Sequence, residues 1–218
     1  MSKSSSVKVQ IFSDIVCPWC FIGKRRWDSV IKELTEVDVE LIWRPYQLYP
    51  GLPYEGIDRR EYLRRRYGDS AVNRSVPRRI EDEAKSVGIE LRYDLIRKIP
   101  NTAYAHYLLE WSLEFGLQHD LAEALFQAYF CRGVDVGETR SLINICESVG
   151  MIPVDVEEIL LSVTENVDMS KYLNFAQERD IFSVPGYLFE NGYLLPGAQT
   201  EETISQVLRR ISEKIKTQ

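Results

Sequence analysis

The sequence predicts an α/β protein in which a β-α-β segment at the start and a β-β-α segment at the end enclose a large all-helical insertion. Three observations carry this expectation. Residues 7–12 and 37–43 have strand character on either side of a helical apolar stripe. Asn191-Gly192 separates two short apolar runs near the end of the chain, a strong hairpin signal. Between residues 57 and 180 the apolar pattern is helical almost throughout and is punctuated by glycines. The expected divisions are therefore 1–56, 57–180 and 181–218.

Val7-Lys8-Val9-Gln10-Ile11-Phe12 alternates and is rich in β-branched residues, as a strand is. Ile15 to Pro18 is a turn, and Pro18 suits a first helical position, where a missing N–H costs nothing. Phe21, Trp27, Val30, Ile31 and Leu34 then form one helical stripe, with Lys24, Arg25, Arg26 and Lys32 off it, to about Glu36. Val37 to Trp43 is the second strand. Pro45, Pro50, Gly51 and Pro53 end it. Helices follow over 58–67, 76–87, 102–115, 119–131, 138–149, 153–163 and 168–179. Asn101 offers a capping oxygen to the third of these. No repeat of constant period is present, which excludes a solenoid. Gly186–Phe189 and Tyr193–Leu195 form the hairpin, with positive φ expected at both Asn191 and Gly192. Thr200 caps a final helix, and Glu201 and Glu202 face the positive end of its dipole. Ile204, Val207, Leu208, Ile211 and Ile215 give that helix an apolar face.

The 218 residues are 44% hydrophobic and 28% charged, enough apolar material for a core and too ordinary a balance for disorder. A formal charge of −6 argues against general nucleic-acid binding. One stretch is basic: Arg59, Arg60, Arg64, Arg65, Arg66, Arg74, Arg78 and Arg79 stand against only Asp58, Glu61 and Asp69. A solvated helix face accounts for it; a rim attracting an acidic substrate, such as a peptide carboxylate, is the sharper reading. The opening MSKSSSVKVQ lacks an apolar stretch of signal-peptide length, and no apolar run approaches the ~18 residues of a membrane span. A cytoplasmic location without membrane association is the resulting expectation. Four cysteines are too few to staple the fold, and in that compartment a close thiol pair is catalytic or metal-binding.

Cys17-Pro18-Trp19-Cys20 is the most informative segment. Two intervening residues bring both sulfurs within one helical turn. A thiol at a helix N-terminus faces free amides and the positive dipole end, which favour thiolate. Cys17 is thus the expected nucleophile, and Cys20, one turn deeper and less accessible, resolves the mixed disulfide. Lys24 and Arg25, two turns on, would add a smaller electrostatic contribution. Zinc would need two further ligands; Cys131 and Cys146 are fifteen residues apart, and His106 and His119 are isolated, so no metal is expected. Cys131 and Cys146 read as inert core thiols.

Phe12 to Lys24, with this CxxC at its centre, resembles the active-site block of the DsbA-like thioredoxin superfamily, and its FrnE-type dithiol-disulfide isomerases in particular. Asn101-Thr102-Ala103-Tyr104-Ala105-His106 is similar to that branch's Asn-Thr-x-x-Ala-His stretch. Val184-Pro185 resembles its Val–cis-Pro, and Gly197-Ala198-Gln199 its Gly-Ala-Gln. The chain departs from the branch at Ser183 and Gly186. The resemblance implies a thioredoxin-like fold carrying the helical insertion, with cis-Pro185 opposite Cys17 and residue 184 offering its backbone to an extended peptide. It implies Cys17 and Cys20 as catalytic residues, with Pro18, Trp19, Val184, Pro185 and Gln199 binding substrate. Trp19 is expected to be exposed for that purpose. Asp14, Asn101 and His106 would support the site. Asp14 is either a turn-former or a carboxylate opposing thiolate formation. His106 is a buried, hydrogen-bonded histidine that packs near the site or orients Asn101.

The activity implied is thiol-disulfide exchange or isomerisation on protein, peptide or glutathione disulfides. No tightly bound cofactor is implied, and glutathione is the candidate co-substrate. The alternative is a glutathione-dependent isomerase or transferase of the 2-hydroxychromene-2-carboxylate isomerase and kappa classes. Those relatives typically have serine in place of Cys17, so the retained thiol pair favours the redox reading. Oligomeric state is not legible from the sequence.

Overall fold

The computed structural model describes residues 6–69, 77–163 and 168–216. Arg74 of the basic run, and the first residues of the serine-rich start, lie outside them. Strand β1 (Val7–Ser13), helix α1 (Pro18–Glu33) and strand β2 (Val39–Pro45) open the chain. Strands β5 (Gly186–Phe189) and β6 (Leu194–Pro196) and helix α9 (Glu201–Lys216) close it. These strands form one mixed sheet in the order β2-β1-β5-β6. β1 runs parallel to β2 and antiparallel to β5, so Ile11 lies between Trp43 and Tyr187. The thioredoxin-like architecture expected from the sequence is present.

Alternation along β1 decides which layer each face meets. Val9 and Ile11 are fully buried with Trp43, Tyr187 and Phe189 in the cluster that also holds Trp27 of α1 and Ile204 and Leu208 of α9. Phe12 points the other way, into a second cluster with Tyr46, Ala176 and Ile181. Its ring is 5.9 Å from that of Phe175. The sheet is thus covered on both faces, which fixes the ends of its strands and the loop that carries the thiols.

Between β2 and β5 come β3 (Ile57–Asp58), α2 (Arg59–Tyr67), α3 (Arg78–Ser86), β4 (Lys98–Ile99), α4 (Ala103–Trp111), α5 (Gln118–Phe126), α6 (Thr139–Ser148), α7 (Pro153–Ser162) and α8 (Ser170–Gln177). Their helices match the expected ones, with two refinements. The turn after α4 tightens to a 3-10 geometry at Ser112–Phe115, and that after α5 widens to a π geometry at Gln127–Cys131. A two-residue antiparallel pairing of β3 with β4 was not expected; it is too short to leave an alternating signature. α2 buries none of its residues, as a solvated arginine-rich face should. The rings of Phe21 in α1 and Phe126 in α5 stack at 5.2 Å, joining the thiol-bearing helix to the helical block.

The hairpin corrects one expectation. Positive φ occurs at Gly192 and not at Asn191. Phe189 N–H bonds to Tyr193 O at 3.0 Å around the three residues 190–192, and Gly192 N–H bonds to Phe189 O at 2.9 Å. The loop therefore has three residues ending in a left-handed glycine, not a two-residue turn. Asn191 contributes through its side chain, which accepts from Tyr193 N–H at 3.1 Å.

Candidate active site

The thiols sit at the C-terminal end of β1, where a parallel β-α unit leaves its loop open to ligands. The loop is held by its own backbone, with Cys17 N–H bonded to Asp14 O at 3.0 Å. Cys17 is the extended N-cap of α1, and its carbonyl accepts from Cys20 N–H at 3.1 Å and Phe21 N–H at 3.3 Å. Pro18 takes the first helical position, as its missing N–H permits. The Cys17 sulfur makes no cap bond to the first turn. Its partner is the carbonyl oxygen of Val184 at 3.8 Å, and the Val184–Pro185 bond is cis. Amide hydrogen bonds from α1, expected to aid the thiolate, are therefore not made by this sulfur.

Both thiols are free and well covered; Cys17 retains 4% of its surface and Cys20 only 1%. The access difference expected from sequence is in the right direction but small. Burial raises the Cys20 thiol well above its usual range, and its hydrogen bond to Cys17 and that thiol's charge raise it further. The Ser13 hydroxyl and the Asp14 backbone pull the other way without reversing it. The expected help from Lys24 and Arg25 is spent elsewhere. Lys24 pairs with Asp28 at 2.8 Å and Glu123 at 3.0 Å, and Arg25 pairs with Glu123 at 2.5 Å.

Asp14 and His106 meet inside the protein, with Asp14 Oδ1 at 3.3 Å from His106 Nε2 and both side chains buried. Asp14 Oδ2 also accepts from Leu48 N–H at 2.7 Å, which ties the thiol loop to the segment after β2. Of its two expected roles His106 thus takes the first, packing near the thiols against Asp14, while Asn101 bonds elsewhere. Asn101 works further off: its Oδ1 accepts from Gln47 Nε2 at 3.1 Å and Ala103 N–H at 3.0 Å, and its Nδ2 donates to Leu52 O at 3.0 Å. It lines a cavity of about 440 Å³ with Gln47, Tyr54 and Tyr172, and neither thiol lines that cavity.

A family model described as the DSBA-like thioredoxin domain matches residues 8–209. The chain belongs to this family. A curated relative, the uncharacterized protein YwbO of Bacillus subtilis (strain 168), is 25% identical over 204 residues, covering 93% of this chain and 96% of that protein. Among solved structures, a probable DsbA oxidoreductase from Streptomyces coelicolor superposes with a TM-score of 0.81 at 25% identity, over 94% of this chain and 89% of the other. The cytosolic disulfide reductase DsbM of Pseudomonas aeruginosa, solved with GSH, superposes with a TM-score of 0.62 at 15% identity, over 97% of this chain and all of the other.

Within this DsbA-like chain, Trp19 is half-buried, with the Arg79 guanidinium over its ring at 5.5 Å. It is therefore less exposed than expected. The Gln199 side chain bonds to Pro196 O at 2.5 Å, and its own carbonyl accepts from Arg26 at 3.3 Å; it stabilises the turn before α9. Cys146 is buried and its thiol is pushed up to about 12 by desolvation, whereas Cys131 is only half-buried, against the expectation of a core position. Three neighbours of the thiols were not singled out from sequence. Ser13 shares the inward face of β1 with Ile11, and a lone polar residue there was a readable signal. Tyr187 is buried, and desolvation, then the charges of Cys20 and Cys17, hold its phenol well above the usual range. Gly23 leaves no room for a side chain: a Cβ there would run into the Tyr187 hydroxyl and stand 3.5 Å from Pro185 Cγ.

Among the described residues, no helix is long and apolar enough to cross a membrane, and no three His, Cys, Asp or Glu side chains gather as a metal centre requires.

Proposed function

We propose that this protein is a thiol-disulfide oxidoreductase or isomerase working through Cys17 and Cys20. The single observation that carries the reading is the Cys17 sulfur at the head of α1, 3.8 Å from the carbonyl that precedes cis-Pro185, with Cys20 buried one turn behind. The Cys17 thiolate attacks one sulfur of a substrate disulfide; that S–S bond breaks, and the departing sulfur leaves as a thiolate and takes up a proton. The Cys20 thiol then loses its proton and attacks the Cys17 sulfur. This releases the substrate as a dithiol and leaves a Cys17–Cys20 disulfide. Where a substrate thiol attacks first instead, the substrate is rearranged with no net electron transfer.

The half-buried Val184 backbone and Trp19 suit a peptide laid across the thiols as an added strand. Protein, peptide or glutathione disulfides are the substrate class, with glutathione as the thiol that re-reduces the pair and no tightly bound cofactor. The GSH in the DsbM structure supports that choice, and the cytosolic description of that neighbour supports work in the cytoplasm. Reactivation of a scrambled disulfide protein in a glutathione buffer tests the proposal. Cys17→Ser should fall to the rate of the uncatalysed exchange; turnover that survives Cys17→Ser would sink the dithiol mechanism.

A further inference from the structure

A cation without a carboxylate partner among the described residues lies over the dipeptide between the two cysteines. Arg79 is the second residue of α3, is exposed, and lies over the Trp19 ring at 5.5 Å. Among the described residues no carboxylate reaches salt-bridge distance of Arg79, whereas Arg78 approaches Asp82 at 3.9 Å and Arg26 holds Glu83. The helix that presents it is anchored. Ala84 is buried, and Arg26 of α1 binds Glu83 of α3 while donating to Ala198 O at 2.8 Å. A second arginine, Arg59, lies 5.3 Å over the ring of Tyr93, a phenol near enough to Cys17 for that thiol's charge to act on it. Most arginines of the basic run are exposed, and Arg66 lies over the ring of its own neighbour Tyr67; Arg79 instead lies over a ring of the CxxC segment. With no carboxylate of the described residues at salt-bridge distance, the Arg79 guanidinium keeps its N–H donors for a carboxylate fork.

We propose that Arg79, held against Trp19, is a specificity-determining cation that selects disulfides carrying a carboxylate close to the reacting sulfur. The proposal rests on Cys17 being the attacking thiol. A guanidinium over the ring of Trp19, in the dipeptide between the thiols, raises the local concentration of an anionic substrate and orients it before exchange, by about two- to fivefold for one exposed charge pair. The same charge disfavours a cationic disulfide.

The test compares dithiodipropionate, hydroxyethyl disulfide and cystamine, which are anionic, neutral and cationic, by kcat/KM at low salt. The ratio of anionic to neutral substrate should fall about two- to fivefold in Arg79→Gln. It should fall further in Arg79→Glu, with cystamine gaining, and lie between the wild-type and Arg79→Gln ratios in Arg79→Lys, which keeps the charge and loses the fork. Raising the salt concentration should shrink the wild-type preference. Ratios that do not change with the charge at position 79 would overturn the proposal, as would equal losses on all three substrates, which mark a purely packing role. Cys17→Ser separates the two claims. If it abolishes turnover of the neutral disulfide while the ratios ignore position 79, only the specificity proposal falls; if turnover survives it, both fall.

Discussion

Cys17 and Cys20 are the same chemical group in two surroundings. Cys17 heads α1 with its sulfur turned to the Val184 carbonyl, whereas Cys20 is a free, desolvated thiol whose proton the neighbouring Cys17 helps to hold. A desolvated thiol stays protonated, so the step that needs the Cys20 thiolate should accelerate as pH rises. Cys146, pushed up to about 12 by burial, follows the same physics with no chemistry attached. These two thiols, with Cys131, which burial also raises, make a linkage prediction. Their folded values exceed the unfolded thiol value of about 8.5, so their contribution is complete below that pH and is lost as pH rises toward the folded values. Urea unfolding of the reduced protein should show a falling midpoint from about pH 8.5 upward; a midpoint that climbs there would contradict the assignment. His106 makes the second residue-scale prediction. Replacing it by alanine strips the buried Asp14 carboxylate of a partner and should cost about 1–3 kcal/mol of stability in urea titration. An unchanged midpoint would show that the bonds of Asp14 to the Val16, Cys17 and Leu48 amides hold the loop without His106.

At the scale of elements, α1 must approach β5 closely for Cys17 to face Val184. Gly23 makes that approach possible, because a methyl group at this position meets the Tyr187 hydroxyl. Gly23→Ala should therefore destabilise by about 1–3 kcal/mol through overpacking, beyond any gain from helix propensity. Adding Tyr187→Phe removes the colliding oxygen, and the double variant should lose less than the two single variants summed. Strict additivity would show that the two residues do not press on each other. Elements with a full turn or a full alternating run were legible in the sequence: β1, α1, α9 and each helix of the insertion. The β3–β4 pairing was not, since two residues carry no period. The hairpin was located correctly but its turn was misread, because Asn-Gly fits both a two-residue turn and the last two places of a three-residue loop.

Over the whole molecule, the site is assembled from segments far apart in sequence. Cys17 and Val184 are 167 positions apart, and Asp14 and His106 are 92 apart. Local pattern exposed the thiol pair itself, because CxxC beside a helix start is a local motif. The cis-proline partner was legible only through family resemblance, since no periodicity announces a cis bond. Arg79 over Trp19, and the pairing of His106 with Asp14, depend on how α3 and α4 dock, and no residue pattern encodes that. The fold brings these pieces to one end of the sheet, and the proposal that rests on this arrangement is that Cys17 attacks and Cys20 resolves. Cys20→Ser removes the thiol proposed to resolve and leaves the one proposed to attack in place. Mass spectrometry of that variant after reaction with a peptide disulfide should find one persistent mixed disulfide, on Cys17. An adduct on Cys131, or none on Cys17 while wild-type protein still turns the substrate over, would contradict the account.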